Sequence, residues 1–105
     1  MDKTALIIID IQNDYFPGGL MENVGAEAAG ANAGRLLDAF RRAGKPVIHI
    51  QHESVHPGAT FFLPGTSGMD IHASVEPQEG EPVLLKHFPN SFRETKLQQL
   101  LDEAG

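Results

Sequence analysis

Apolar residues gather in three short continuous runs and in two stretches of helical period. Residues 4–9 (TALIII) form an unbroken, β-branched run after the opening threonine. Such a run predicts a strand covered on both faces, the kind found in parallel sheets. Asp10 follows at its carboxyl end. The next fifteen residues, IQNDYFPGGLMENVG, are rich in Asn, Asp, Pro and Gly and predict a loop. Roughly residues 26–43 then read as a helix, with Ala26, Ala29, Ala33, Leu36, Leu37 and Phe40 on one face. Gly30 and Gly34 weaken its early turns and are expected to permit close packing against the sheet. Gly44 and Pro46 end it.

Residues 47–51 (VIHIQ) and 82–85 (PVLL) predict the second and third strands, with Lys86 at the end of the third. Between them, residues 53–80 are rich in Gly, Pro, Ser and Thr and show little periodicity. A loop of that length is unusual in a compact domain, often functional, and has room for short helical turns. Thr95 is expected to open a last helix, with Gln98 completing a capping box. Leu97, Leu100, Leu101 and Ala104 supply its apolar face, and Gly105 falls where a cap would close it.

Strand, helix, strand, long loop, strand, helix is the order of an α/β protein with parallel strands joined by right-handed crossovers. Residues 1–105 read as one domain or part of one, with no internal repeat. The last helix is expected to lead to a fourth strand. The sequence is therefore expected to be a fragment, or to be completed by a second copy or chain, because bare central strand edges are avoided.

Composition narrows the partners. Eight Lys and Arg stand against fourteen Asp and Glu, a formal charge of −6. That argues against nucleic acid and against an anionic membrane, both of which need a surplus of cations. No run is long enough to span a bilayer. Residues 1–4 lack the features of a signal peptide. Together these predict a cytoplasmic protein acting on a small molecule. No residue pattern asks for a cofactor: Gly18-Gly19 lacks the context of a phosphate loop.

In a doubly wound sheet, ligands bind beyond the carboxyl ends of the strands, where Asp10 and Lys86 both fall. Placed together, a carboxylate moves a proton while an ammonium steadies negative charge. On spacing alone a structural ion pair is the better reading of the same two residues, since an Asp at a strand end is common. Gln12, Asn13 and Asp14 follow Asp10. Substrate positioning and turn hydrogen bonding weigh equally for Gln12, and turn bonding leads for Asn13 and Asp14. Tyr15 and Phe16 either wall a pocket or anchor the loop. Of the residues after Lys86, Phe88 is placed at a pocket and Phe92 in the core. His49, flanked by Ile48 and Ile50, reads as a sheet residue.

The stretches ALIIIDIQNDYFPGG, VIHIQHES, PGT and KHFPNSF resemble, in this order, the isochorismatase-like cysteine hydrolases, and the resemblance covers essentially the whole chain. It implies a three-layer α/β/α, Rossmann-like fold, of which three strands and two helices lie here. It implies a catalytic triad in which Asp10 and Lys86 match the family's aspartate and lysine. The third member is a cysteine after the fourth strand, and this sequence contains no cysteine. Asp10 would take the thiol proton, Lys86 would hold the electrostatics of the site, and a small amide or related compound would be hydrolysed through an acyl-enzyme. By the resemblance Phe16 walls the substrate pocket, and His52 borders the cleft. Nicotinamidases of the family bind a metal through an Asp-x-His pair and a further His. Here Gln51-His52-Glu53-Ser54 lacks the aspartate, and no metal is expected. Family members commonly form dimers or tetramers, so a homo-oligomer is expected of the complete protein. Two other functions compete. A non-catalytic, partner-completed binding module accounts for the missing nucleophile. An aspartyl phosphatase accounts for Asp10 but needs a second aspartate where Gln12 stands.

Overall fold

A computed structural model describes residues 4–104. Strand β1 (Leu6–Ile9) leads through a loop into helix α1 (Ala26–Arg42), then strand β2 (Val47–His52), strand β3 (Val83–Lys86) and helix α2 (Leu97–Ala104). The three strands make one parallel sheet in the order β1-β2-β3. Leu6 pairs with Val47 and Ile9 with Ile50, while His49 pairs with Val83 and His52 with Lys86.

Side chains alternate across the sheet and separate the core in two. Ile8, Val47, Leu37 and Val75 are buried on the α1 face, and Ile48, Ile50 and Leu97 on the α2 face. The α/β/α layering is therefore present in these elements. Only the central strand is buried in the way expected of β1, with Val47, Ile48, His49 and Ile50 all enclosed. In β1, Ile8 is buried but Ile9 is 42% exposed. Among the described residues β1 has a neighbour on one side only, so half of its apolar run stays uncovered. β3 is an edge too, with Val83 and Leu85 exposed.

Helix α1 ends as its sequence asks. Gly44 adopts φ 67°, its amide donates to the Arg41 carbonyl, and the Lys45 amide donates to the Phe40 carbonyl. These two bonds absorb carbonyls that the helix end leaves unpaired. The buried stripe differs from the expected one: Ala29 and Leu36 are exposed, while Gly30 and Leu37 are enclosed. The two helix glycines approach a 3₁₀ turn, Ala73–Val75, and not the sheet. A Cβ on Gly34 would stand 2.7 Å from the Ser74 carbonyl oxygen.

Helix α2 starts at Leu97, two residues after the expected opening. The Thr95 hydroxyl accepts from the Leu97 amide at 3.3 Å, so it does cap the first turn. Gln98 instead donates to Asp102 one turn on, and no capping box forms. The expected contact of Ala104 and the cap at Gly105 lie outside the described side chains. The long loop is ordered by 3₁₀ turns at Ser67–Met69 and Ala73–Val75 and by pairing with the loop after β1. There the Asn13 amide donates to Asp70 and the His72 amide to Ile11, flanking a Gln12–Ile71 bridge. Among the described residues no helix is long and apolar enough to cross a membrane.

Candidate active site

Parallel strands bring their carboxyl ends to one edge of the sheet. Register puts His52 beside Lys86, and the Asp10 amide donates to the Ile50 carbonyl, so Asp10 continues the same row. Asp10 leaves the strand at φ 60°. That left-handed turn is tolerated by aspartate better than by most residues and swings its side chain out of the pleat.

The Lys86 ammonium stands 3.2 Å from Asp10 Oδ2 and donates to the Pro89 carbonyl at 3.2 Å. The lysine is nearly enclosed, 4% exposed at the side chain, against 25% for the aspartate. Asp10 Oδ1 is buried and has no hydrogen-bond partner among the described residues. Asp10, Tyr15, His52, Phe61, Phe62, Lys86 and Pro89 line one cavity of about 320 Å³. Tyr15 packs edge-on against Phe62 with ring centres 4.8 Å apart, and Phe61 lies 4.9 Å from Phe62. The cavity thus has an aromatic side and an ion pair.

Two titrations are displaced there. Burial pushes the Tyr15 phenol above its ordinary range, and the charge of Asp10 adds to this. Burial also pushes the His52 imidazole down; Lys86, His87 and His56 act in the same direction and Asp10 opposes them. His52 therefore faces the cavity as a neutral ring at neutral pH, able to donate from one nitrogen and accept at the other.

The remaining expected residues fall elsewhere. Gln12 is wholly buried. Its amide nitrogen donates to the carbonyls of His52 and Met69, and its oxygen accepts from the His52 amide. With both ends committed to backbone it splices the loop after β1 to the end of β2, and it does not line this cavity. Phe16 is 5% exposed and stacks on His72 with ring centres 3.6 Å apart. It borders a second hollow of about 320 Å³ on the other side of Asp10, formed with Ile9, Tyr15, Asn23, Val24 and the start of α1. Phe88 lines neither hollow and carries the Arg93 guanidinium 3.7 Å from its ring centre. Phe92, expected in the core, is 48% exposed. His49 is the buried sheet residue its neighbours suggest and contacts Glu81.

Sequence reasoning missed Phe61, Phe62 and Pro89. The one available signal was an apolar pair, Phe61-Phe62, inside an otherwise polar loop. Among the described residues no three His, Asp or Glu side chains group as metal ligands.

Residues 4–105 match the isochorismatase domain family. The uncharacterised isochorismatase family protein YddQ of Bacillus subtilis is 52% identical over 97% of this chain and 57% of its own length. A streptothricin hydrolase of Streptomyces noursei is 36% identical over 96% of the chain and 36% of its own length. Among solved structures, an isochorismatase of Pseudomonas putida superposes with a TM-score of 0.85 at 40% identity, over 99% of this chain and 53% of that one. The chain spans about half the length of YddQ and of the Pseudomonas putida protein, and about a third of the streptothricin hydrolase.

Proposed function

Because this chain belongs to the isochorismatase family, we propose that it forms the Asp–Lys part of a hydrolase site for small amides, completed by a cysteine from outside these 105 residues. The observation that carries the proposal is the Asp10–Lys86 pair, 3.2 Å apart and half-enclosed in an aromatic cavity at the strand ends. The likeness to a ureidoacrylate amidohydrolase of Rhizobium rhizogenes, 26% identical over 98% of this chain, supports amide-type substrates.

In this reading the unpartnered Asp10 Oδ1 takes the thiol proton as sulfur attacks the amide carbon. The carbon–nitrogen bond breaks, and the amine leaves with the proton that Asp10 returns. Water then attacks the thioester, giving a proton through Asp10 to the departing thiolate and releasing the acid. Lys86 is held on two sides, by Asp10 and by the Pro89 carbonyl, so its charge stays fixed beside the reacting centre. The faces of Tyr15, Phe61 and Phe62 suit a flat, unsaturated amide, and neutral His52 offers it a hydrogen bond without adding charge.

The test uses the complete enzyme and a panel of small amides. Asp10→Asn keeps the shape and the left-handed turn, and Lys86→Met keeps the stem. Each is expected to lower kcat by about a hundredfold or more, the usual worth of a positioned acid–base group, while the thermal midpoint stays close to wild type. Turnover near the wild-type rate in either variant would remove that residue from the mechanism.

A further inference from the structure

Asp14 is a buried carboxylate, 2% exposed, for which the Asp10–Lys86 chemistry has no use. Part of its bonding is local: Oδ1 accepts from the Leu20 amide at 3.2 Å, and its backbone carbonyl accepts from the Met21 amide at 2.9 Å. The other carboxylate oxygen leaves the opening loop altogether. Oδ2 accepts from the Phe62 amide at 2.7 Å, far along the chain. Gly68 presses on the same carboxylate so closely that a Cβ there would overlap Oδ1.

Phe62 needs such a hold. Its φ of 54° is left-handed, a conformation that strains a bulky residue and persists only where the surroundings dictate it. Three contacts dictate it here. The amide goes to Asp14, the carbonyl accepts from the Ser54 amide at 2.9 Å, and the ring is 1% exposed against Tyr15, Phe61 and His52. Those rings are the aromatic side of the cavity that contains Asp10 and Lys86.

We infer that Asp14 is a positioning residue for this cavity: its carboxylate pins the Phe61-Phe62 corner of the long loop to the opening loop and so holds the aromatic wall against Tyr15. The wall's purpose rests on the amide-hydrolase reading; its geometry does not. Asp14 touches no reacting atom in this scheme and acts through Phe62.

Tyr15 reports on the wall directly, because the chain has one tyrosine and no tryptophan. Tyrosinate absorbance follows its ionisation, which burial displaces upward. In Asp14→Asn an amide group replaces an oxygen that now faces an N–H donor. Tyr15 is expected to titrate closer to a free phenol and to lose near-ultraviolet circular dichroism, with the far-ultraviolet signal retained. Gly68→Ala disturbs the same carboxylate from its other side and is expected to do the same. Leu37→Ala, a truncation in the α1-side core, controls for general loosening and is expected to leave the Tyr15 titration in place. An unchanged Tyr15 titration in the folded Asp14 and Gly68 variants, or an equal shift in Leu37→Ala, overturns the inference. If neither Asp14→Asn nor Gly68→Ala folds, wild-type hydrogen exchange decides: the Phe62 and Leu20 amides are expected to be protected together, and exchange of Phe62 at the rate of exposed loop amides defeats it.

Binding separates the two readings. Benzamide is expected to bind about tenfold more weakly to Asp14→Asn, whereas acetamide, too small to need the wall, changes less than about twofold; equal losses for both would deny a positioning role. Failure of benzamide to bind the complete wild-type enzyme counts against the amide reading and leaves the Tyr15 titration to decide on Asp14.

Discussion

Glu81 stands towards the amino ends of the strands, away from the cavity, and gathers three donors. Arg41 meets it through two nitrogens at 2.6 and 2.7 Å, His49 Nε2 lies 2.8 Å away, and the Gln78 amide donates at 3.0 Å. The Arg41 hydrogen bonds above all hold its carboxyl at about 2, against an ordinary 4.5; the Gln78 and His49 bonds and the Arg41 charge add to this, and burial opposes them. A carboxyl lowered on folding stabilises the folded state fully above its unfolded value, and the contribution fades as pH falls from there through about 2. Glu81→Gln is therefore expected to cost on the order of 1–3 kcal/mol in urea unfolding at about pH 7, and the gap from wild type should close towards about pH 2. A gap that is constant with pH would mean that packing, and not charge, makes the difference. At this scale the sequence was informative only where backbone position dictates chemistry. That Asp10 and Lys86 share one edge was legible because strand ends in a parallel sheet converge, but spacing alone favoured a structural ion pair, and only the family resemblance pointed to chemistry. Gln12 and Phe88 were not legible, because a polar or aromatic side chain in a loop turns towards whichever partner the distant chain supplies. For Gln12 that partner is the backbone of His52 and Met69.

Elements show the same division between local and distant causes. The end of α1 was readable to within a residue because Gly44 and Pro46 act on their own turn. The face that α1 buries was less so, since the two glycines serve a turn some forty residues later. Alanine is therefore expected to act here against its ordinary helix propensity. Glycine to alanine inside an exposed helix gains up to about 1 kcal/mol. In Gly34→Ala the new methyl meets a backbone oxygen at 2.7 Å, which cannot rotate away. The substitution is expected to lower the thermal midpoint by several degrees, since about 1 kcal/mol shifts a domain of this size by about 4–8 °C. An unchanged or raised midpoint would show that the Ala73–Val75 turn yields at little cost. At the start of α2 the Thr95 cap was legible and the capping box was not, since Gln98 donates to Asp102 one turn further along its own helix.

For the molecule as a whole, parallel order followed from the alternation of runs and the α/β/α layers from the family resemblance, whereas the exposure of β1 and β3 depends on which strands sit beside them. Ile9 and Leu85 are 42% and 45% exposed on the two outer strands. An apolar outer strand invites pairing with another chain, and a lysine blunts it. Sedimentation of the 105-residue chain is thus expected to show concentration-dependent association that Ile9→Lys weakens by about tenfold; a chain that stays monomeric throughout would show that the β1 edge is inert. The spacing of the strands also has a consequence in time. Leu6 finds its partner in Val47, about forty residues further on, and among the described residues no nearer segment offers β1 a strand. At about 5–20 residues per second of synthesis, β1 leaves the ribosome roughly 2–8 seconds before Val47 does. For those seconds Leu-Ile-Ile-Ile is a naked greasy tetrapeptide in a crowded cell, so a chaperone that grips short aliphatic segments should meet this protein at β1, long before there is any cavity to protect.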